Sequence, residues 1–147
     1  MTLLRRLDHV AVLVRSTDDA LRYYEGRLGL PVHSTEEIDA PPVRLTYLDA
    51  GNTFLQLIEP LDPSSPLAIW LDEHGEGLHH ICFGVENVEA TVSLLSDQGT
   101  VPTPGSGRGR ISGFVATGAS HGVRIECTEF VREEDVELVR GWHPPVS

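Results

Sequence analysis

The chain has 147 residues, of which 40% are hydrophobic and 22% charged, and its formal net charge is −11. This length allows one core rather than two ordinary domains, and the composition is typical of a globular protein. All 11 basic residues are Arg, and an acidic surface repels phosphate backbones and anionic lipids, so neither nucleic acid nor a membrane is expected as a partner. Cys82 and Cys127 lack metal or redox spacing and are expected to be small core residues.

The first predicted element is a strand in LDHVAVLV, residues 7–14. Two arginines before an apolar run are reminiscent of a signal peptide, but Asp8 and His9 interrupt the run and a small-residue cleavage site is missing. No apolar run approaches the roughly 20 residues that span a bilayer. We therefore expect a strand here and a cytoplasmic protein.

Helix and hairpin signals follow this strand. Apolar residues recur at helical spacing between an N-cap at Ser16 or Thr17 and a stop at Gly29. Two strands are predicted in VRLTYLDAGNTFLQLIEP, on either side of a turn at residues 49–52. A bridging helix over about residues 65–74 should come next, with a Ser-Pro start and a Gly stop.

The second half of the chain repeats the first. LHHICFGV aligns with LDHVAVLV and places His80 over His9 and His79 over Asp8. A predicted helix follows, with Asn87 as its N-cap and a Gly stop at position 99, and two further strands lie in ISGFVATGASHGVRIECTEF. Both halves therefore have the order β-α-β-β-β.

This duplication predicts an α+β fold in which two βαβββ modules form a curved, partly open mixed sheet around a shared site. We expect a single domain over residues 1–147, with module 1 at about 5–62 and module 2 at about 77–130. The remaining residues, 131–147, are expected to form a short acidic helix and a fraying tail.

Polar side chains occupy matched positions on the first and last strands of each module. His9 aligns with His80, and Gln56 aligns with Glu126. Such groups are costly to bury on an apolar strand face unless they are paired or bind a metal. Two imidazole nitrogens and two oxygens suit a first-row divalent ion with open positions, and suit a closed structural zinc site less well. Since successive strand side chains point to opposite faces, His79 is expected to lie away from this site.

Three arginines are candidate ligands for an anionic substrate. Arg108 and Arg110 lie in the Gly-rich PGSGRGRISG, where the alternative is a mobile loop with solvated arginines. Arg124 precedes Glu126 by two positions, so we expect it on the same face, where it would bind a substrate carboxylate. The alternatives for Arg124 are a pair with Glu126 or a solvent-facing side chain.

At these residues the sequence resembles the vicinal oxygen chelate superfamily, also called the glyoxalase and bleomycin-resistance fold, and within it the methylmalonyl-CoA epimerases. The resemblance spans about residues 7–128 and is carried by LDHVAV, YYEGRLGL, AGNTFLQLIEP, DPSSPLAIWLDEHGEGLHHI and HGVRIECTE. It implies that His9, Gln56, His80 and Glu126 bind a divalent metal such as Co, Mn, Ni or Zn. It also implies a homodimer.

The resemblance further implies an enolising isomerase that acts on an acyl-CoA or a related carbonyl compound. Epimerisation requires proton removal on one face of a carbon and delivery on the other. Glu126 is expected to be one acid/base, and relatives take a second Glu from the strand before the hairpin. This chain has Leu45 at that position, and Glu36, Glu37 or Asp39 are the possible substitutes.

Three alternative functions remain open on the same scaffold. A lyase like glyoxalase I would use a similar four-ligand site, and a ring-cleaving dioxygenase would use two His and one carboxylate around iron. Gln56 beside Glu126 fits the first better than the second. A non-catalytic small-molecule binding protein is the third alternative, and the presence of all four ligand candidates argues against it.

Overall fold

A computed structural model describes residues 4–97, 103–105 and 107–129 of the chain. Within these residues, eight strands form one sheet and three helices pack against it. In chain order the elements are β1 Arg6–Leu13, α1 Thr17–Tyr24, β2 Val32–Asp39, β3 Pro42–Asp49, β4 Phe54–Pro60, α2 Pro66–His74, β5 Gly77–Val85, α3 Val88–Leu95, β6 Thr103–Gly105, β7 Ser112–Phe114 and β8 Ile125–Glu129. The predicted stop at position 99 and the predicted tail, 131–147, lie outside the described residues.

The order of the strands in the sheet reflects the duplication. It is β2-β3-β4-β1-β5-β8-β7-β6, so each half has the same arrangement and the two first strands, β1 and β5, meet at the centre. These central strands are antiparallel, and each pairs in parallel with the last strand of its own half. The predicted α+β fold of two βαβββ modules in a curved mixed sheet is confirmed.

The two faces of the sheet carry different layers. Helices α1 and α3 cover one face, where their apolar sides pack on alternate residues such as Val12, Leu57 and Val85. The opposite face, which carries Ala11 and Tyr47, packs against α2. This second face, called the inner face below, is therefore the one on which a site can form beside the bridging helix.

Local capping explains where the helices begin and end. Ser16, Ser65 and Asn87 each accept a hydrogen bond from a backbone N–H of the first turn, as predicted. Helix α1 stops earlier than expected, at Tyr24, beyond which the regular pattern is lost: the N–H groups of Gly26 and Leu28 bond five residues back, whereas that of Arg27 bonds four residues back. The chain continues in this wider turn to Gly29, whose φ of 77° ends it.

Two β-bulges interrupt the pairing of the central strands. On β1, Asp8 is an extra residue between paired residues, and on β5 the extra residue is His79. A bulge breaks the strict alternation of side chains and re-aims the extra side chain. Because Asp8 and His79 occupy equivalent positions in the duplication, the two modules carry the same irregularity at the same place.

The described part of the chain contains no helix that is both long and apolar enough to cross a membrane. Both cysteines are free and buried, which confirms that Cys82 and Cys127 are core residues.

Candidate metal and substrate site

The four predicted ligands lie at the centre of the inner face, in two adjacent rows of paired residues. One row contains His9, Cys82 and Glu126, and the other contains Gln56, Ala11 and His80. Directly paired residues point to the same face, and so do residues two apart on one strand. The rows therefore direct all four polar side chains to one place, with small residues between them.

Three ligand atoms converge at this place. His9 Nε2 lies 3.3 Å from His80 Nε2, and Glu126 Oε1 lies 3.4 Å from the first and 3.5 Å from the second. All three side chains are buried. Metal–nitrogen and metal–oxygen bonds are about 2.0–2.2 Å long, so neighbouring ligands of one ion lie about 3.0–3.5 Å apart. The spacing of these donors fits a divalent ion.

Gln56 adds an oxygen that has no hydrogen-bond partner among the described residues. Its Nε2 donates to the Tyr47 hydroxyl at 2.9 Å, which leaves Oε1 buried and without a hydrogen bond. An unsatisfied buried carbonyl oxygen costs about 1–3 kcal/mol. A cation at the centre of the site would satisfy it, so Gln56 also fits the expected ligand set.

The electrostatics of the site favour an ionised Glu126 and a neutral His80. Burial would raise the pKa of Glu126, but the neighbouring His80 and His9 rings hold it well below its usual range. Burial lowers the pKa of His80. For His9, burial acts downward, but hydrogen bonds to Asp8 and Glu126 raise its pKa overall. A carboxylate and a neutral imidazole are the forms that bind metals.

Asp8 fixes the orientation of His9. The Nδ1–H of His9 donates to Asp8 Oδ2 at 2.7 Å, which leaves Nε2 to face the other ligands. Burial acts to raise the pKa of Asp8, but the hydrogen bond from His9 and the charge of Arg108 lower it to about 2. The carboxylate is only 1% exposed, so it acts as a buried anion beside the site.

The arginines of the Gly-rich segment bind this anion. Arg108 donates a hydrogen bond to Asp8 Oδ2, and Arg110 Nη1 lies 3.7 Å from Asp8 Oδ1. Arg110 is 8% exposed and is not part of the cavity wall, so the prediction that it binds substrate is not supported. The buried Asp8 charge attracts Arg110 away from solvent, which also rules out the expectation of solvated arginines. Arg108, which sequence reasoning ranked equally, does line the cavity.

A cavity of about 630 Å³ opens above the four ligands. Its polar lining contains the four ligands together with Tyr47, His79, Arg108 and Arg124. The apolar wall consists of Ile38, Ala40, Pro41, Val43, Leu45, Ile58, Pro66, Leu67, Trp70, Phe114 and Val115. The shape and lining suit a small molecule with a polar head and an apolar body.

Leu45 lies on this wall, and none of the three candidate substitutes, Glu36, Glu37 and Asp39, lines the cavity. Glu36 pairs with Leu45 across β2 and β3 and so shares its face, but its carboxylate accepts from the Arg108 backbone N–H at 2.6 Å and does not line the cavity. Glu37 pairs instead with Arg44 at 3.0 Å. Asp39 is exposed at the end of β2.

The expectation that His79 lies away from the site is wrong. The bulge at His79 brings it into the cavity wall beside His80, with 2.8 Å between the two Nδ1 atoms. Arg124 Nη1 donates to His79 Nε2 at 2.6 Å, and its guanidinium lies 5.6 Å from the centre of the Trp70 ring. Arg124 thus lines the cavity with Glu126, as predicted, but its partner is His79 and not Glu126.

Several site residues were not identified by sequence reasoning. Tyr47 accepts a hydrogen bond from Gln56, and Trp70 packs against the guanidinium of Arg124. In the sequence, both look like ordinary core residues. For Asp8 and His79 the sequence did contain a signal for a role at the site. The duplication aligns these two residues with each other, and each directly precedes a ligand histidine.

The fold and the site together define a family. The family described as Glyoxalase/Bleomycin resistance protein/Dioxygenase superfamily matches residues 8–117. The chain belongs to this superfamily. An uncharacterized protein of Bacillus subtilis is 34% identical over 131 residues, which cover 86% of this chain and 93% of that protein.

Other relatives are methylmalonyl-CoA epimerases, which are enzymes. The human mitochondrial methylmalonyl-CoA epimerase is 36% identical over 93 residues, 63% of this chain and 53% of that protein, so the match spans about half of its length. A variant of the Streptomyces coelicolor methylmalonyl-CoA epimerase, in complex with 2-nitronate-propionyl-CoA, matches with a TM-score of 0.75 and 31% identity over 86% of this chain and 97% of that one. The Mycobacterium tuberculosis methylmalonyl-CoA epimerase matches with a TM-score of 0.77 and 28% identity over 92% and 94% of the two chains.

Proposed function

We propose that this chain is a divalent-metal-dependent enolising isomerase of the methylmalonyl-CoA epimerase type, acting on an acyl-CoA or a related carbonyl compound. The observation that carries the proposal is the convergence of His9, His80 and Glu126 in the lining of one cavity. The similarity to methylmalonyl-CoA epimerases, one of them solved with 2-nitronate-propionyl-CoA, supports the substrate class.

His9, Gln56, His80 and Glu126 would hold the metal, with Co, Mn, Ni and Zn as the candidates. A divalent ion held by these residues supplies Lewis-acid stabilisation of an enolate oxygen when bound. Asp8 keeps the Nδ1 proton of His9 on the far side of the ring, so that Nε2 presents its lone pair to the site. Tyr47 holds the amide nitrogen of Gln56 and so turns its oxygen toward the same place.

Glu126 would remove the proton next to the carbonyl group. Its depressed pKa, which results from the neighbouring His80 and His9 rings, keeps it ionised at neutral pH. Because Glu126 lines the cavity beside His9 and His80, a substrate bound there presents one face to its carboxylate. Glu126 thus serves one face of the substrate carbon.

Arg124 would bind an anionic group of the substrate. It is exposed at the cavity wall, and its guanidinium is oriented by Trp70 and His79. A guanidinium is the side chain best suited to a carboxylate, since it can donate two parallel hydrogen bonds. The apolar wall around Leu45 and Ile58 would contact the rest of the acyl group.

A one-base proton transfer, as in a glyoxalase I-like lyase, is the second candidate. The observation that favours it is Leu45, which lies on the cavity wall where epimerase relatives would supply the second acid. One carboxylate can move a proton between neighbouring atoms on the same face of a substrate, whereas epimerisation requires a donor on each face.

The deciding experiment compares deuterium exchange with inversion. Each C2 epimer of methylmalonyl-CoA would be incubated with cobalt-loaded protein in D₂O, and both α-deuterium content and configuration would be followed. Inversion with deuterium incorporation is expected from the epimerase. Exchange with retained configuration would favour one-base chemistry, and no exchange by any metal-loaded form would contradict both enzymatic readings and favour a binding protein.

The homodimer is part of this proposal and is supported by the family resemblance alone. Sedimentation velocity at micromolar concentration would give a mass of two chains if the proposal is correct. A mass of one chain would contradict it.

A further inference from the structure

A continuous row of hydrogen-bonding groups runs across the site from Arg124 to Asp8. Arg124 contacts His79, His79 contacts His80, His80 lies 3.3 Å from His9, and His9 contacts Asp8. Every ring nitrogen of the three histidines is used in this row. The position of each imidazole hydrogen can therefore be assigned from the two ends, where the roles of donor and acceptor are certain.

The assignment starts at Arg124, which can only donate. His79 Nε2 must accept that hydrogen bond, so the hydrogen of the neutral His79 ring lies on Nδ1. A ring that accepts at one nitrogen and carries one hydrogen on the other is neutral. His79 Nδ1–H then donates to His80 Nδ1, and the hydrogen of His80 must lie on Nε2.

This hydrogen lies on the nitrogen that a metal would need. His80 Nε2 faces His9 Nε2 and Glu126 Oε1, so it is the ring atom directed at the site. A metal ligand requires a free lone pair, and the His80 hydrogen would have to lie on Nδ1 instead. His80 Nδ1–H can then donate only if His79 Nδ1 accepts, which places the His79 hydrogen on Nε2, directly against Arg124.

We propose that His79 couples occupation of the metal site to the release of Arg124. This inference rests on the metal site of the proposed function and is independent of the substrate. On metal binding, the hydrogen of His79 passes from Nδ1 to His80 Nδ1, His80 releases its Nε2 hydrogen as a proton to the solvent in the cavity, and the same solvent supplies a proton to His79 Nε2. The two rings together keep the same number of hydrogens. Arg124 faces a second donor and loses its hydrogen bond, while Trp70 still supports its guanidinium.

The consequence is an order of binding. Without metal, His79 occupies Arg124 Nη1, and with metal that N–H is available for a substrate anion. The coupling is reciprocal. An anion that binds Arg124 breaks the hydrogen bond between Arg124 and His79, and so raises the affinity of the site for the metal. His79 is thus a positioning residue that makes the anion site complete only when the metal site is filled.

The direct test is a ¹⁵N–¹H correlation spectrum of the histidine side chains, recorded on metal-free and on Zn²⁺-loaded protein. In the metal-free protein we expect hydrogen on Nδ1 of His79 and on Nε2 of His80. In the loaded protein both should move to the other nitrogen. An unchanged His79 ring in protein that has bound Zn²⁺ overturns the coupling but leaves the metal site standing. A failure to bind any ion overturns both.

A double-mutant cycle provides the second test, with Co²⁺ affinity as its readout. Arg124→Met removes the hydrogen bond that metal binding must break, so affinity should rise about tenfold in the wild-type background. In the His79→Phe background the same substitution should change affinity little, because the hydrogen bond is already missing. An equal gain in both backgrounds would mean that only the charge of Arg124 opposes the metal, and would overturn the coupling. Arg22→Met, which removes an exposed charge on α1, is the matched control and should leave affinity unchanged.

Discussion

Asp8 is the buried anion around which the basic residues of the site gather. His9 and Arg108 donate hydrogen bonds to it, and the guanidinium nitrogens of Arg6 and Arg110 lie within 3.6 and 3.7 Å. Removing one partner from a buried ionic group is costly, because the remaining charges lose their compensation. The same carboxylate also orients a metal ligand.

Asp8→Asn should therefore affect both stability and metal binding. The free energy of unfolding should fall by about 3 kcal/mol, because three arginines lose their common anion. The affinity for Co²⁺ should fall about 10- to 100-fold, because the orientation of His9 is weakened. Urea unfolding and a Co²⁺ titration measure the two effects, with Asp19→Asn, an exposed residue of α1, as the control. Unchanged affinity in a folded Asp8→Asn variant would contradict the positioning role.

The pKa of Asp8 also predicts how stability depends on pH. Its pKa is about 2 in the folded protein and 3.8 for an ordinary Asp, so folding favours the ionised form. This contribution to the free energy of unfolding is fully present above about pH 4 and is lost as the pH falls toward 2. Urea unfolding of metal-free protein at pH 4.5 and pH 2.5 should show a larger loss in wild type than in Asp8→Asn. Equal losses would argue that Asp8 does not carry this dependence.

Because Leu45 cannot carry a proton, the proposed mechanism has an acid/base on only one face of the substrate. Leu45→Glu would add an acid to the cavity wall on β3, away from Glu126 on β8, and should raise the ratio of inversion to exchange by about 100-fold. Leu45→Gln has nearly the same shape without a transferable proton and should leave the ratio unchanged. Chiral analysis of the product in D₂O measures it. A Leu45→Glu protein that is folded and still does not invert would exclude this wall as the second face.

At the scale of elements, a short turn at Gly75 links α2, which contributes to the apolar cavity wall, to β5, which carries His80. Gly75 ends α2 with φ of 82° and ψ of 179°, a region that essentially only glycine adopts. Apart from its two chain neighbours, no described residue has an atom within 4 Å of the place where a Cβ would be, so the constraint is conformational and not steric.

Gly75→Ala should lower the free energy of unfolding by about 1–3 kcal/mol. Gly118→Ala is the matched control, because its site is equally open and its φ is not in the left-handed region. Thermal or urea unfolding of both variants measures the difference. Equal stability of the two variants would show that the backbone at Gly75 adapts at no cost.

The strands of the site could be predicted from the sequence, but the direction in which each of their side chains points could not. Apolar alternation and the duplication identified β1, β5 and the ligand pairs His9 with His80 and Gln56 with Glu126. Strict alternation then placed His79 on the wrong face, because a bulge depends on how two strands pair and leaves no mark in either strand alone.

At the scale of the whole molecule, the site belongs to neither module alone. His9 and Gln56 come from module 1, and His80 and Glu126 come from module 2, across the contact between β1 and β5. An ion bound by all four would link the two modules, since it binds the folded protein and not the separated strands.

Metal binding should therefore stabilise the protein as a unit. At a free Co²⁺ concentration of about 100 times Kd, the free energy of unfolding should rise by about 2.7 kcal/mol. His80→Ala should abolish the rise, and His33→Ala, which removes an exposed histidine of β2, should retain it. Calorimetric Tm values with and without Co²⁺ provide the measurement. A rise that persists in His80→Ala would place the ion elsewhere.

The sequence by itself determined the βαβββ repeat, the caps of the helices and the four converging polar residues, because these follow from periodicity and from the duplication. Only the tertiary structure decided the roles of Arg110, Arg124 and His79. Arg110 binds the buried Asp8, and Arg124 binds His79, because the two modules bring together side chains that are far apart in the chain. Such partnerships depend on distances across the sheet, which no local pattern in the sequence records.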